Sequence, residues 1–581
     1  MMPARPPFPT RAWMGRLRFS PVDVVVAVGT VVLLWGLIRL DQAMGAPSAR
    51  LSGSVSLAMS HLPYYAARSL LRMFIAYALS LLFTFVYGTA AARSRRWRGV
   101  LIVLLDILQS VPVLGFLAIT VTFFVGLFPG SELGLECAAI FAIFTSQAWN
   151  MTFSFYHSLI TQPTELDEAA RIYRLTKWQR FWKLDVPSSM IGLVWNAMMS
   201  MGGGWFFLTA SEAISVSGKG TTYLPGIGSY IGTAQKQGSL AKVTVAIVVM
   251  VVMVVGVNFL VFRPLVAWAE KFRMESSEAT DKPRSVVLDV WRHSRIPGLV
   301  RRMTTPVAGG LDRVTRPFGL AEHPLVTDPR RRRAGDVAFW SVIVAVVGWG
   351  AVAGFTYLVR KVGLHAFAYA AALGSVTFLR VIVVVVVSTL VWVPVGVKIG
   401  LSPRLSRYAQ PVVQILASFP SNLLFPFAIV VFLAIGLPLD EGSVVLMAVG
   451  AQWYILFNAI AGAIAIPNDL REMATNLRLT RRQRWRSVLL PAVFPAYVTG
   501  GVTAAGGAWN ATIVAEVVVW GRHHLSATGL GAYITNAAAS SGSEHFAKVL
   551  AGVVVMSLFV VFVNRLFWRR LYRLAETRCA L

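Results

Sequence analysis

"EAARIYRLTKWQRFWKLDVP", residues 168–187, gathers Glu168, Arg171, Arg174, Lys177, Arg180, Lys183 and Asp185 in a chain that is only 14% charged. Apolar runs of membrane length flank it on both sides. The same pattern returns 304 residues later as "EMATNLRLTRRQRWRSVLLP", residues 472–491. A charged loop repeated between long apolar runs implies a duplicated unit of membrane helices.

Composition agrees. The 581 residues are 56% hydrophobic, with mean hydropathy +0.64, too apolar for an ordinary soluble protein. Runs such as "VDVVVAVGTVVLLWGLIRL" (22–40) and "AIVVMVVMVVGVNFLVF" (246–262) reach or approach the ~20 residues that cross a bilayer. An outer-membrane barrel would instead alternate in segments of about ten residues. The class is an all-α polytopic membrane protein. A net charge of +28 does not point to nucleic acid, because the basic residues lie between apolar spans, where the positive-inside rule puts them. Cys137 and Cys579 fall near opposite membrane faces and imply no disulfide framework. Arg5, Arg11, Arg16 and Arg18 precede the first run. That run is long and no small-residue cleavage site closely follows it, so it reads as a retained first span.

Each half carries about six spans, near 22–40, 69–91, 101–127, 134–160, 189–212 and 243–262, then 337–358, 377–397, 410–436, 443–464, 492–518 and 548–567. That makes about twelve in all, with Pro112 and Pro420 interrupting the third of each half. Arg93, Arg95, Arg96 and Arg98 mark one side of the membrane, as do Lys398, Arg404 and Arg407. Glu132, Glu136, Asp440 and Glu441 mark the other. Both charged loops and both termini are therefore expected in the cytoplasm. The domains read as 1–270, a cytoplasmic basic linker at 271–335, and 336–581. In the linker "ESSEATDKPRS" is polar, "SVVLDVWRHSRIPGLVRRM" could lie amphipathically on the membrane surface, and the run "DPRRRRAGD" precedes the next span. Ser110 and Pro112 match Ser418 and Pro420 at an offset of 308. Pro163, Pro187, Gly203, Trp205 and Glu212 match Pro467, Pro491, Gly507, Trp509 and Glu516 at 304. Two copies in one orientation form a parallel repeat, an arrangement suited to a pore between like halves.

Capping chemistry shapes the loop. Thr164 reads as an N-cap with Glu165, Asp167 and Glu168 in the first turn, and Asn468 with Asp469 and Glu472 in the second copy. Thr176 with Gln179, and Thr480 with Gln483, are capping boxes. Pro187 and Pro491 end the unit, which reads as two short helices at an angle.

Glu-Ala-Ala, three residues, Gly, nine residues, Ile-x-Leu-Pro is the EAA loop of permease subunits of binding-protein-dependent ABC importers. The chain resembles it twice, at Glu168-Ala169-Ala170, Arg174, Leu184 and Pro187, and at Glu472-Met473-Ala474, Arg478, Val488 and Pro491. In that family the loop docks into a groove on the cytoplasmic ATPase. The resemblance implies the same role here, with two ATPase copies, ATP and Mg on those partners and no cofactor in this chain. It further implies an extracytoplasmic solute-binding protein, a bacterial inner membrane and a type I importer-like fold. Arg174 and Arg478 stand where the motif has glycine. Arginine does not favour the left-handed turn, so a tighter turn, or an arginine reaching the ATPase, is expected. "SLLRMFIAYALSLLFTFVYG" (69–88), "LLDILQSVPVLGFLAITVTFFVG" (104–126) and "GGGWFFLTASEAIS" (202–215) resemble the branch importing nitrate, sulfonates, taurine and bicarbonate. A small anion is the expected solute.

Remaining candidates keep alternatives open. Glu212 and Glu516, at span ends beside Trp205 and Trp509, either pair with arginine and cap a loop or line the pathway. Arg72 and Arg380 either make a positive mouth for anions or snorkel. Gly202, Gly203, Gly506 and Gly507 read as helix-packing positions. "SGKGTT" (217–222) lacks phosphate-loop spacing. His523 and His524 have no spaced ligand partners, so no metal site is assigned. No nucleophile–base pattern makes the chain an enzyme. A secondary transporter of the major facilitator class shares the topology, but the glycine–aspartate–arginine pattern between spans two and three is missing. A membrane acyl or glycosyl transferase would need a carboxylate or histidine cluster.

Overall fold

The computed structural model describes residues 55–129, 131–216, 220–272, 287–289, 306, 309–315, 329–540 and 544–578. The predicted span 22–40, the N-terminal arginines, Cys579 and most of the linker lie outside them. At every other predicted span there is a helix. Seven helices are long and apolar enough to cross a membrane, or eight with one bent pair, among the described residues.

The first half runs through Leu62–Arg93, a broken span of Arg95–Ser110 and Leu117–Leu127, then Leu133–Ile160, the charged loop, Val186–Glu212 and Leu240–Val257. The second half repeats this order. Its first two spans form one continuous trace, Pro329–Gly400, which leaves helical geometry only at Gly363 (φ 81°). Its helix starts at Pro329, so the arginine run builds its first turns instead of lying ahead of it. In each half the Leu133–Ile160 helix, or its counterpart Leu439–Ile464, packs between the helices on either side of it in the core.

Proline explains the broken spans. A residue before proline is driven out of the helical region, and Val111 and Phe419 are extended (ψ 124° and 132°). A short 3-10 elbow follows each break, Val113–Phe116 and Ser421–Leu424. The second span bends there by 86°. Ser94 and Ser402 cap the helix before each elbow, accepting from the backbone N–H of Trp97 and Leu405.

The elbows cross over. Leu423 of the second half is buried in the core of the first, beside Met73, Trp205 and Leu208. Leu114 of the first half is buried in the core of the second, beside Trp509, Ile513 and Val553. Asn510 accepts from the Val113 N–H (3.0 Å). Asn422 donates to Thr209 Oγ1 (3.0 Å), and Gly202 brings its helix close to Ser418. The other three glycines read as packing positions are not such contacts. Gly203 and Gly506 face open space, and Gly507 makes ordinary contact with Tyr454.

Two short antiparallel hairpins depart from the all-α expectation: Ala213–Val216 with Gly220–Tyr223, and Val517–Trp520 with His523–Ser526. Each leads into a helix, Ile227–Lys236 or Leu530–Ala539. His523 and His524 are exposed on the second hairpin. No group of three or more metal-ligating side chains occurs among the described residues.

Because the elbows interlock, the two halves expressed as separate polypeptides cut in the linker should copurify from detergent. Leu114→Asp with Leu423→Asp should abolish that association, as measured by pull-down of one tagged half.

Candidate functional site

Two polar constellations sit at opposite ends of the same helices. At one end lies the charged loop. Its first helix, Thr164–Ile172, has Pro163 at the N-cap and no side-chain cap. Thr164 is therefore the first helical residue and not the cap expected, and Asn468 likewise follows Pro467. Glu165 and Asp167 still occupy the first turn, where the helix dipole favours them. Glu168 and Glu472 are exposed, whereas Ala170 and Ala474 are buried.

The end of that helix corrects the expectation about arginine. Arg174 and Arg478, each at φ 48°, are the only non-glycine residues with positive φ among the described residues. Leu175 N–H donates to Ala170 O, and Arg174 N–H to Arg171 O. Leu479 and Arg478 repeat this with Ala474 and Thr475. These paired bonds are the Schellman motif, whose left-handed position glycine usually fills. The turn geometry is kept and arginine adopts it, at a cost of about 1–2 kcal/mol. Both predicted capping boxes are present, with Thr176 and Gln179 bonded reciprocally, and Thr480 and Gln483 likewise.

The second loop helix does not stop at the proline. A π-turn, Phe181–Asp185 or Trp485–Leu489, links it to the span, so Lys177–Glu212 is one helical run of 36 residues. Pro187 and Pro491 sit just past the π-turns, which take up the hydrogen bond a proline cannot make. They therefore do not end the unit.

At the far end of that run lies a buried ion cluster. Arg72 donates Nε and Nη2 to the two oxygens of Glu136 (2.5 and 2.6 Å) and Nη1 to Glu212 Oε1 (2.7 Å). Arg68 adds a bond to Glu136 (2.5 Å), and Ser69 one to Glu212 (2.5 Å). Gly228 N–H, in the first turn of Ile227–Lys236, donates to Glu212 Oε2 (2.6 Å). A carboxylate at a helix N-terminus is favoured by the dipole. No side chain fits at Gly226 or Gly529, because the carboxylate of Glu212 or Glu516 fills the space.

The second half varies the design. Arg380 pairs with Asp440 (2.6 Å) and Glu516 (3.3 Å) and donates to Thr528 O (2.9 Å). Thr377 and Ala532 N–H complete the shell of Glu516. Val376 stands where the first half has Arg68, and Asp440 is 47% exposed where Glu136 is fully buried.

These contacts change the assignment of the predicted pathway residues. Arg72 and Arg380 neither form an open mouth nor snorkel. Each is consumed by carboxylates of its own half. Trp205 and Trp509 are core residues, Trp509 stacked on Phe378. Glu136, Asp440, Ser69 and Thr377 were missed as partners, though all four stand at the repeat offsets of one another.

Between the halves, a cavity of about 270 Å³ is lined by both elbows and by Thr209, Gln235, Ile513 and Thr535. Among the described residues no charged side chain borders it, and none of the predicted pathway residues does.

At the loop end the halves diverge further. Arg93 pairs with Asp185 (2.6 Å), and Arg180 bonds to Asp167. Arg93 and Arg72 lie on one helix, so Leu62–Arg93 is tied to the Lys177–Glu212 run at both ends. The second half has Leu401, Arg471 and Leu489 in place of Arg93, Asp167 and Asp185, and lacks the loop-end tie.

Comparison with known proteins adds the family. The model described as "Binding-protein-dependent transport system inner membrane component" matches residues 80–270 and 392–569. The nitrate import permease protein NrtB of Synechococcus elongatus is 26% identical over 172 residues, 30% of this chain and 58% of that protein. The bicarbonate transport system permease protein CmpB of the same organism is 29% identical over 151 residues, 26% of this chain and 51% of that protein. The taurine transport system permease protein TauC of Escherichia coli is 25% identical over 194 residues, 33% of this chain and 66% of that protein. The chain thus spans about half to two thirds of the length of these curated relatives.

Arg174→Gly and Arg478→Gly should each stabilise the purified chain by about 1 kcal/mol, read as a higher melting temperature, because glycine relieves the left-handed cost. Arg72→Gln should destabilise it by about 3–5 kcal/mol, since buried Glu212 loses its cation and Glu136 keeps only Arg68. Arg380→Gln should cost less, because Asp440 can be hydrated.

Proposed function

The chain belongs to the family of binding-protein-dependent transport system inner membrane components, and from that premise we propose that it is the fused permease of an ATP-driven importer. Two halves in one polypeptide supply both sides of the solute pathway, which runs between them through the uncharged cavity. The loops 164–187 and 468–491 dock on two cytoplasmic ATPase subunits, which bind the ATP and Mg. A solute-binding protein delivers cargo on the opposite face. Both termini are then cytoplasmic.

The observation that carries this reading is the twice-built loop. In both halves an exposed acid stands on a short helix, a left-handed turn follows, and a capping box opens a helix continuous with a span. A push on the loop at Thr176 therefore reaches Glu212 along one rod, ~54 Å long at 1.5 Å per residue. In the first half the arginine ties carry the Leu62–Arg93 helix along. A loop that only balanced charge would need no such geometry.

A small anion is the proposed solute. Support comes from relatives named for nitrate import and for bicarbonate and taurine transport. It no longer comes from Arg72 and Arg380, whose charge is spent internally. Thr209, Gln235 and Asn422 offer neutral hydrogen-bond groups at the cavity, which suits passage better than tight capture by a fixed cation. A secondary transporter of the major facilitator type would have no use for the paired docking loops.

Glu168→Lys and Glu472→Lys lie on exposed helices, so folding should change by no more than about 0.5 kcal/mol. Together they should abolish uptake and ATPase stimulation while the protein stays in the membrane. Full uptake by the double variant would reject the coupling role.

A further inference from the structure

The two loops are built alike in backbone but not in charge. Residues 164–187 hold five Lys or Arg against four Asp or Glu, a difference of +1. Residues 468–491 hold six against two, a difference of +4. The structure widens the gap. In the first loop Arg180 is buried and bonded to Asp167, Asp185 is held by Arg93, and Lys183 reaches Asp312 of the linker (3.3 Å). In the second, Arg478, Arg481, Arg482 and Arg486 are exposed, and no acid among the described residues pairs with them.

The apolar tips differ in the opposite sense. Ile172 and Tyr173, just before the left-handed turn, are 78% and 77% exposed. Their counterparts are polar Asn476 and Leu477, the latter 63% exposed. One tip presents a broad apolar knob beside exposed Arg174 and Lys177, in a loop whose other acids and bases nearly balance. The other presents a smaller knob ringed by unpaired guanidinium groups.

We propose, building on the docking role above, that the 468–491 loop makes a salt-sensitive contact with an acidic surface of the cytoplasmic ATPase, whereas the 164–187 loop docks chiefly by burying Ile172 and Tyr173. Charge complementarity selects the partner. Guanidinium groups that pair with no acid among the described residues gain most from a carboxylate-lined groove, where bidentate pairing is available. Rim charges of this kind act on encounter rate and are screened by salt. A buried aromatic anchor acts on dissociation and is not.

The test uses the full chain in nanodiscs of zwitterionic phosphatidylcholine and the ATP-hydrolysing subunit that purifies with the tagged chain. Binding is measured at low and high ionic strength. Arg481→Gln with Arg482→Gln should weaken binding about tenfold at low salt and remove most of the salt dependence. Ile172→Ala with Tyr173→Ala should weaken it by a similar factor at both salt levels. The proposal is overturned if the arginine pair leaves the salt dependence intact, or if both variants respond to salt identically. It is also overturned if the salt dependence appears only when anionic lipid is added, which would assign these arginines to the membrane surface. Failure of the unaltered chain to bind the subunit at any salt would reject the importer reading itself.

Discussion

The structure depends on the cost of leaving backbone polar groups unpaired inside a membrane. Pro112 and Pro420 break a span in each half, and a break frees backbone N–H and C=O groups. In hydrocarbon each unsatisfied group costs several kcal/mol, so broken backbone is tolerated only where protein or trapped water covers it. Here the other half supplies the cover. Asn510 takes the freed N–H of Val113, and Leu423 is buried among first-half side chains. The cavity forms at this crossing, bounded by both elbows. Helix association in lipid has no hydrophobic drive of its own, so reciprocal burial of the elbows is what makes one body of two repeats.

Within each half a second constraint sets the mechanics. A buried guanidinium needs buried carboxylates, and Arg72 takes both Glu136 and Glu212. Three helices are thereby joined near one end, far from the charged loop. The Arg93–Asp185 pair joins two of them again at the loop end. A helix pair fastened at both ends moves as a rigid unit. The second half joins the same helices through Arg380 and Thr377 at Glu516 and through Thr389 and Tyr497, with no ion pair in the place of Arg93–Asp185. In the proposed importer this makes the halves unequal levers on a shared pathway.

Much of this was legible in the sequence because it is written in local signals. Apolar length located the spans, prolines located the elbows, and Thr-x-x-Gln located both capping boxes. The repeat offsets revealed the duplication. What escaped was written across the chain. Arg174 and Arg478 looked incompatible with a left-handed turn, but the Schellman bonds to buried Ala170 and Ala474 outweigh a cost of one or two kcal/mol. Glu136 and Asp440 served as markers of a membrane face, since nothing local ties them to arginines 64 and 60 residues away. Noticing that Ser69, Arg72, Glu136 and Glu212 all have polar counterparts in the second copy would have exposed the cluster. The strand pairs that start at Ala213, just past the predicted span 189–212, and at Val517, across the end of 492–518, were not anticipated because four-residue strands next to an apolar helix carry no distinct periodicity.

The proposed contact of both loops with an ATPase is best read in the cell. A photo-crosslinking residue placed at Tyr173, and separately at Leu477, should on illumination yield adducts with a cytoplasmic ATP-binding polypeptide from both positions. Adducts with lipid alone, or with no such polypeptide from either position, would contradict that contact.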